Sequence, residues 1–343
     1  MSFESERSGG TATAFGDLNQ LLVELVDGVR VVLGDNFCGA YLQGSFAVGD
    51  ADEHSDVDFI VVTKGEVTPG QQAELEVLHQ RLYALPTSWA QHLDGSYVPR
   101  KVLRRPDAQR RPLLYLDNGA TEFTLDNHDN TAVVRWSLRE HGVVLAGPSP
   151  RELVEPITPD QLRADVRWVL AAWAAWFRSN DSISRRMLAV AVLSHCRILN
   201  TLATGKVASK RVAGRWALDE LDPEWRSLIG WALDDRADPW MKVDEPADPA
   251  RFRRTQEFMG YAADGPTSTD TRMGERPSSD VDRPSRRLHT QCPAHAPLVT
   301  TRTTEHPALI PHEVPAGARR RTAIPARRGV KRPARAGNPA YPA

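Results

Sequence analysis

The 343-residue chain is poor in the features that most readily betray a function. Its three cysteines, Cys38, Cys196 and Cys292, are scattered, odd in number and form no CxxC. That excludes a thiolate zinc site and a disulfide framework, and reduced thiols are expected. Ten histidines include no HxxxH pair, so no zinc site is expected. The formal net charge is −1, so no global field favours a specific nucleic-acid partner. No apolar run approaches the roughly 18 residues of a membrane span, and the opening MSFESERSGGTATAF is too polar for a signal peptide. No membrane association and a cytoplasmic location are therefore expected. No internal repeat is evident.

What is present is unevenly distributed. Residues 264–343 hold 12 of the 25 prolines, are rich in Arg, Thr and Ser, and have almost no apolar periodicity. Such a segment buries too little surface to offset chain entropy. It reads as a disordered Pro/Arg-rich tail over 263–343, with a basic cluster at 319–335, or as a readthrough or frameshifted end. Ahead of it, FGDLNQLLVELVDGVRVV (15–32), GQQAELEVLHQRLYA (70–84) and DNTAVVRWSLREHG (129–142) predict helices. CGAYLQ (38–43), VDFIVVT (57–63), LLYLD (113–117) and VVLAGP (143–148) read as extended, and WAQHLDGSYV (89–98) has strand-like stretches. From Pro159 the period is 3.6, with helices at 162–178, 183–205, 209–221, 224–235 and 250–262. An α+β chain follows: a mixed domain over 14–150, a helical domain over 151–262, and the tail.

The stretch GSFAVGDADEHSDVDFIVVT (44–63) carries the chemistry. Its strand is apolar at nearly every position, as a strand covered on both faces must be. Asp56 and Asp58 stand at its entrance, two residues apart, and so on one face about 6.5–7 Å from each other. Like charges there are costly unless they sit at a wet strand end or share a cation. Mg²⁺ suits carboxylates completed by substrate phosphates. Gly44 and Ser45, in a turn after a strand, offer close backbone approach and a hydroxyl donor to a phosphate. Either element alone is commonplace, a turn or a solvated loop. In the order strand, GS, ten residues, DxD, apolar strand, they describe a phosphate cradle beside a metal clamp.

This order resembles the signature of the polymerase-β nucleotidyltransferase superfamily. HGVVLAGPSPRELVEPIT (141–158), CRILNTLATGKVASKRVAGRWAL (196–218) and the helical second half extend the resemblance, over about residues 20–260, to aminoglycoside adenylyltransferases of the streptomycin/spectinomycin type. The resemblance implies a polymerase-β-like nucleotidyltransferase domain followed by a helical bundle. It also implies transfer of AMP from ATP to a hydroxyl of a small-molecule acceptor, using Mg²⁺, in the cleft between the two. The family's third carboxylate, metal neighbour and general base, falls on Asp94 in HLDGSYV. Streptomycin-modifying members carry Glu there, one methylene longer. Read without the resemblance, Asp94 is a turn residue before Gly95-Ser96. The family's triphosphate-directed Arg and Lys fall on Arg197 and Lys210. By themselves these are a snorkelling helix residue and an exposed first-turn lysine.

The acceptor side matches less. The family's acidic drug-contacting segment corresponds to FRSNDSISRRMLAV (177–190), where Asp181 is the sole acid and Arg185 and Arg186 add positive charge. Spectinomycin, less charged than streptomycin, suffers less from this. Of the tryptophans at helical spacing (Trp168, Trp173, Trp176, Trp216, Trp225, Trp231 and Trp240), most are expected in the core. Two alternatives stay open: adenylylation of a protein or RNA, and a non-catalytic nucleotide-binding regulator.

Overall fold

The computed structural model describes residues 11–53, 55–178, 183–235 and 245–264. The expected tail past Asp264, its basic cluster, Asp181, Trp240 and Cys292 lie outside the described residues.

The mixed half comprises α1 (Gly16–Leu33), β1 (Phe37–Leu42), a one-turn α2 (Gly44–Ala47), β2 (Val57–Thr63), α3 (Pro69–Tyr83), β3 (Leu93–Pro99), α4 (Arg100–Leu103), β4 (Leu113–Leu116), β5 (Thr124–Asp126), α5 (Ala132–His141), β6 (Val143–Ala146) and α6 (Pro150–Leu153). The strands form one six-stranded sheet in the order β5-β4-β3-β2-β1-β6. Among the described residues only the β2–β3 pair is parallel. A parallel pair needs a crossover, which α3 supplies. Its start is fixed by a capping box between Thr68 and Gln71 with Pro69 in the first turn.

Both sheet faces are covered, and this explains the apolar run in β2. Phe59 and Val61 pack with Leu25 of α1 and Leu75 of α3. Ile60 and Val62 pack with Leu103, Leu138 and Leu153 on the opposite side. By alternation Asp58 shares the face of Ile60 and Val62, toward α5.

The strand-like stretches of 89–98 resolve into a 3-10 turn, Ser88–His92, and a strand from Leu93. Two sequence readings are corrected. Gly95 is not in a turn: it pairs with Phe59 and Leu116 in mid-sheet. A Cβ there would stand 2.7 Å from the Phe59 ring, so glycine answers close packing. The helix expected from 129 starts at Ala132, because the Thr131 side chain caps it through the Val134 amide (3.1 Å). Asp129 and Asn130 are thereby left in the preceding turn.

The helical half comprises α7 (Pro159–Arg178), α8 (Arg185–Thr204), α9 (Lys210–Glu220), α10 (Arg226–Asp234) and α11 (Pro249–Asp264). Its core gathers Trp173, Phe177, Leu188, Val192, Ile229 and Phe258. Trp173 and Trp225 are buried, whereas Trp168, Trp176, Trp216 and Trp231 are half-buried. By length and composition alone α8 matches a membrane span, with mean hydropathy 1.4 over 18 residues, although charged residues interrupt it. That window is 67% buried inside the protein, and α8 serves as the central core helix.

The two halves meet at α5 and α7. Asp165 of α7 accepts hydrogen bonds from the amides of Ala132 (3.1 Å) and Val133 (3.2 Å) and pairs with Arg110. The Arg110 guanidinium lies 4.2 Å from the centre of the Trp168 ring. A carboxylate at a helix N-terminus satisfies orphan amides and the helix dipole together. Beside it Arg135, 1% exposed, donates to the carbonyls of Val102, Leu103 and Thr131 and to the Asn130 side chain. Burial pulls its pKa down to about 10. These contacts anchor the turn that carries Asp129.

Candidate active site

β2 and β3 run parallel, with Asp58 directly opposite Asp94. Asp56 lies immediately before β2, where Asn118 donates to its Oδ1 (3.3 Å). The sheet thus brings together the three carboxylates singled out from the sequence. It adds a fourth, Asp129, which is 3% exposed.

Their electrostatics are those of crowded, poorly hydrated acids. Burial, then the charges of Asp56 and Asp129, push Asp58 up to about 7, while Lys210 and His128 pull it down. Asp94 is raised well above its ordinary value by burial and by Asp58, Asp129 and Asp56; a hydrogen bond with Tyr115 opposes this. Burial likewise raises Asp129, opposed by His128 and by the Ser96 hydroxyl.

Gly44 and Ser45 open α2 against this cluster. Gly44 has φ +59°, and a Cβ there would fall 1.9 Å from Asp58 Oδ2. Only glycine lets the turn lie so close to the carboxylate. The Ser45 hydroxyl is buried without a hydrogen-bond partner. A buried unpaired hydroxyl is costly, and a phosphate oxygen would satisfy it.

The helical half contributes cations. Arg197, half-buried on α8, has its pKa lowered by burial but sustained by Asp58 and Asp50. Lys210 opens α9, whose cap Ser209 accepts from the Val212 amide (3.1 Å). It lies close enough to favour the ionised form of Asp58. Its neighbour Arg211 pairs with Asp50 (3.1 Å) and Asp52 (3.4 Å), on the loop leading to Asp56.

Near Asp56, His92 Nδ1 is 3.3 Å from Asn118 Oδ1. Burial lowers the His92 pKa, Asn118 and Asp56 oppose this, and nearby Arg186 adds to the lowering. The positive charge expected in 177–190 is partly offset, since Arg185 pairs with Asp235 and with Glu245 (2.9 Å).

Asp129, Gln43, Ser96, Asn118 and Arg211 had not stood out in sequence. Asp129 lies in DNHDN, which reads as a cap or turn, and only the fold carries it 33 residues back to Ser96. Among the described residues no three His, Cys, Asp or Glu side chains form a ready-made metal cage. Several crowded carboxylates, a cradle closed to any Cβ and an unpaired hydroxyl fit a cation bound together with a polyphosphate.

A nucleotidyltransferase domain model matches residues 39–100, and a model of the aminoglycoside adenylyltransferase C-terminal domain matches residues 152–261. The chain is 24% identical over 265 residues to the aminoglycoside (3'') (9) adenylyltransferase of Escherichia coli, covering 71% of this chain and 93% of that protein. It is 21% identical over 240 residues to the spectinomycin 9-adenylyltransferase of Campylobacter jejuni, covering 66% and 90%. The crystal structure of a spectinomycin adenyltransferase from Enterococcus faecialis, with ATP and spectinomycin, matches with a TM-score of 0.53 at 15% identity, over 70% of this chain and 98% of that one, and so shares its fold. With both halves matched, the chain belongs to the aminoglycoside adenylyltransferase family within the polymerase-β nucleotidyltransferases and is an enzyme.

Proposed function

We propose that the protein transfers AMP from ATP to a hydroxyl of a small aminocyclitol or aminoglycoside, with Mg²⁺ as cofactor. The observation that carries this is the in-register pair Asp58–Asp94, against the Gly44–Ser45 turn and within reach of cations from the helical half. In this reading residues 14–150 form the nucleotidyltransferase domain and 151–262 the helical domain, in the cytoplasm.

Asp56 and Asp58, with Asp94 adjoining, would hold Mg²⁺. When bound, that ion offsets phosphate charge and eases departure of the leaving group. The residues do the rest. Ser45 donates its hydroxyl to a phosphate oxygen. Arg197 and Lys210 balance the β- and γ-phosphate charge. Asp94 accepts the proton of the acceptor hydroxyl as its oxygen attacks the α-phosphorus in line. The new P–O bond forms as the bond to the β-phosphate oxygen breaks, and pyrophosphate leaves. Asp94 is half-buried rather than sealed, which supports its role as base, since the acceptor must reach it.

The names of the relatives support an antibiotic acceptor. The wall beside Asp56 mixes His92, Asn118 and Arg186. Such a wall suits a lightly charged aminocyclitol such as spectinomycin better than a polycation.

The test is pyrophosphate release from ATP and Mg²⁺ with a panel including spectinomycin and streptomycin, with Asp56→Asn as control. Turnover of spectinomycin that the control lacks is the expected result. ATP binding with no turnover on the whole panel would overturn the antibiotic reading. It would point to a protein or RNA acceptor, or to a regulator.

A further inference from the structure

Asp129 is the most buried carboxylate of the cluster, at 3% exposed. Both of its oxygens are engaged: Oδ1 accepts from Gln43 Nε2 (3.2 Å) and Oδ2 from the Ser96 hydroxyl (2.7 Å). Gln43 is itself buried, and its side-chain Oε1 accepts from the Gly44 amide (2.9 Å). Its own amide donates to the Asp58 carbonyl (2.9 Å). A chain of hydrogen bonds therefore runs from Asp129 through the Gln43 carboxamide to the Gly44 backbone.

This chain has two consequences. The Gly44 amide is occupied by Gln43, which leaves the Ser45 hydroxyl, buried and without a partner, as the side-chain donor of the turn. The Gln43 carboxamide also cannot rotate away while Asp129 holds its other end. Burial of a charged or polar group is tolerated only with such partners, and here the partners lead to the nucleotide turn.

We propose that Asp129 is a positioning residue of the nucleotide subsite: acting through Gln43, it sets where the Gly44–Ser45 turn meets a phosphate. The inference rests on the nucleotidyltransferase reading of that turn. Asp129 touches neither substrate nor reacting atoms in this role. What it supplies is the geometry of a donor that must be placed to within a fraction of an ångström.

The test measures ATP binding in Mg²⁺ by calorimetry on the full chain, for the parent, Asp129→Ala, Asp129→Asn, Gln43→Ala and the Asp129→Ala/Gln43→Ala double variant. Asparagine keeps an acceptor for Gln43 and an amide that Ser96 can accept, so it preserves the relay without the charge. Asp129→Ala and Gln43→Ala are each expected to weaken ATP at least about 10-fold, with the double variant no weaker than either single one, because removing either link breaks the same chain. Asp129→Asn is expected to recover affinity to within about 3-fold of the parent, and KM for the acceptor to stay unchanged. Parent-like affinity in Gln43→Ala, or Asp129→Asn as weak as Asp129→Ala, overturns the proposal. If Asp129→Ala does not fold, two comparisons with the parent still decide: parent-like affinity in Gln43→Ala, or Asp129→Asn weaker than the parent by about 10-fold or more, overturns the proposal. A parent chain that does not bind ATP fails at an earlier point and overturns the nucleotide reading itself.

Discussion

Replacing Gly44 by alanine tests the site with one methyl group. The added Cβ would stand 1.9 Å from Asp58 Oδ2 and 2.5 Å from its Cγ, in a residue with φ +59°. The left-handed conformation costs a non-glycine residue about 1–2 kcal/mol. Turning Asp58 aside to relieve the overlap adds about 0.5–1.5 kcal/mol for an off-rotamer side chain. The sum is about 1.5–3.5 kcal/mol, a loss of roughly 3–14 °C in Tm for a folded region of this size. The larger effect falls on activity, because an Asp58 displaced by about 1 Å leaves productive geometry at a cost near 100-fold. Gly49 is the matched control: its φ is +72°, but nothing lies within 4 Å of a Cβ there. Gly49→Ala should show the backbone strain alone and keep its rate. The assay is ATP- and Mg²⁺-dependent pyrophosphate release beside thermal unfolding. Near-parental turnover in Gly44→Ala, or equal losses in both variants, would refute the reasoning.

Lys210→Ala and Arg197→Ala each remove a cation that faces Asp58 and, when bound, the triphosphate. Charged hydrogen bonds contribute about 1.5–3 kcal/mol, so kcat/KM for ATP should fall about 10–100-fold; unchanged ATP kinetics would count against their assignment. Acid sensitivity should reside partly in two buried histidines. Burial lowers His79, which contacts the Tyr97 hydroxyl at 3.0 Å, to about 3, and lowers His195 to about 4. Below pH 6.5 the unfolded chain binds protons that these folded imidazoles refuse, so their contribution to stability falls as pH falls, by about 2 kcal/mol each at pH 5. Asp58, raised to about 7, works oppositely, gaining stability from pH 7 down toward 4. The clean readout is therefore a difference: denaturant unfolding of His79→Gln should lose about 2 kcal/mol less than the parent between pH 7 and 5, and equal losses would contradict it.

The 3.6-residue periods of α1, α7 and α8 were plain in the sequence because each helix buries a stripe of its own residues. The boundaries of β2 were equally plain, since both of its faces are covered and nearly every position is apolar. The order of Gly44-Ser45, Asp56 and Asp58 named the chemistry, because cradle and clamp lie within fifteen residues of one chain segment. Resemblance, not periodicity, pointed to Asp94, Arg197 and Lys210. The role of Gly95 was hidden because the reason for it is the Phe59 ring on another strand. Asp129 was hidden because its partners, Gln43 and Ser96, are 86 and 33 residues away. The start of α5 was hidden because one of its caps, Asp165, comes from α7. The sequence by itself therefore determined the local elements and the reaction class, which depend on short-range pattern. Only the tertiary structure decided how four carboxylates crowd together and which of them holds the turn in place. Repulsion, burial and hydrogen-bond geometry depend on distances through space, and sequence spacing does not carry these.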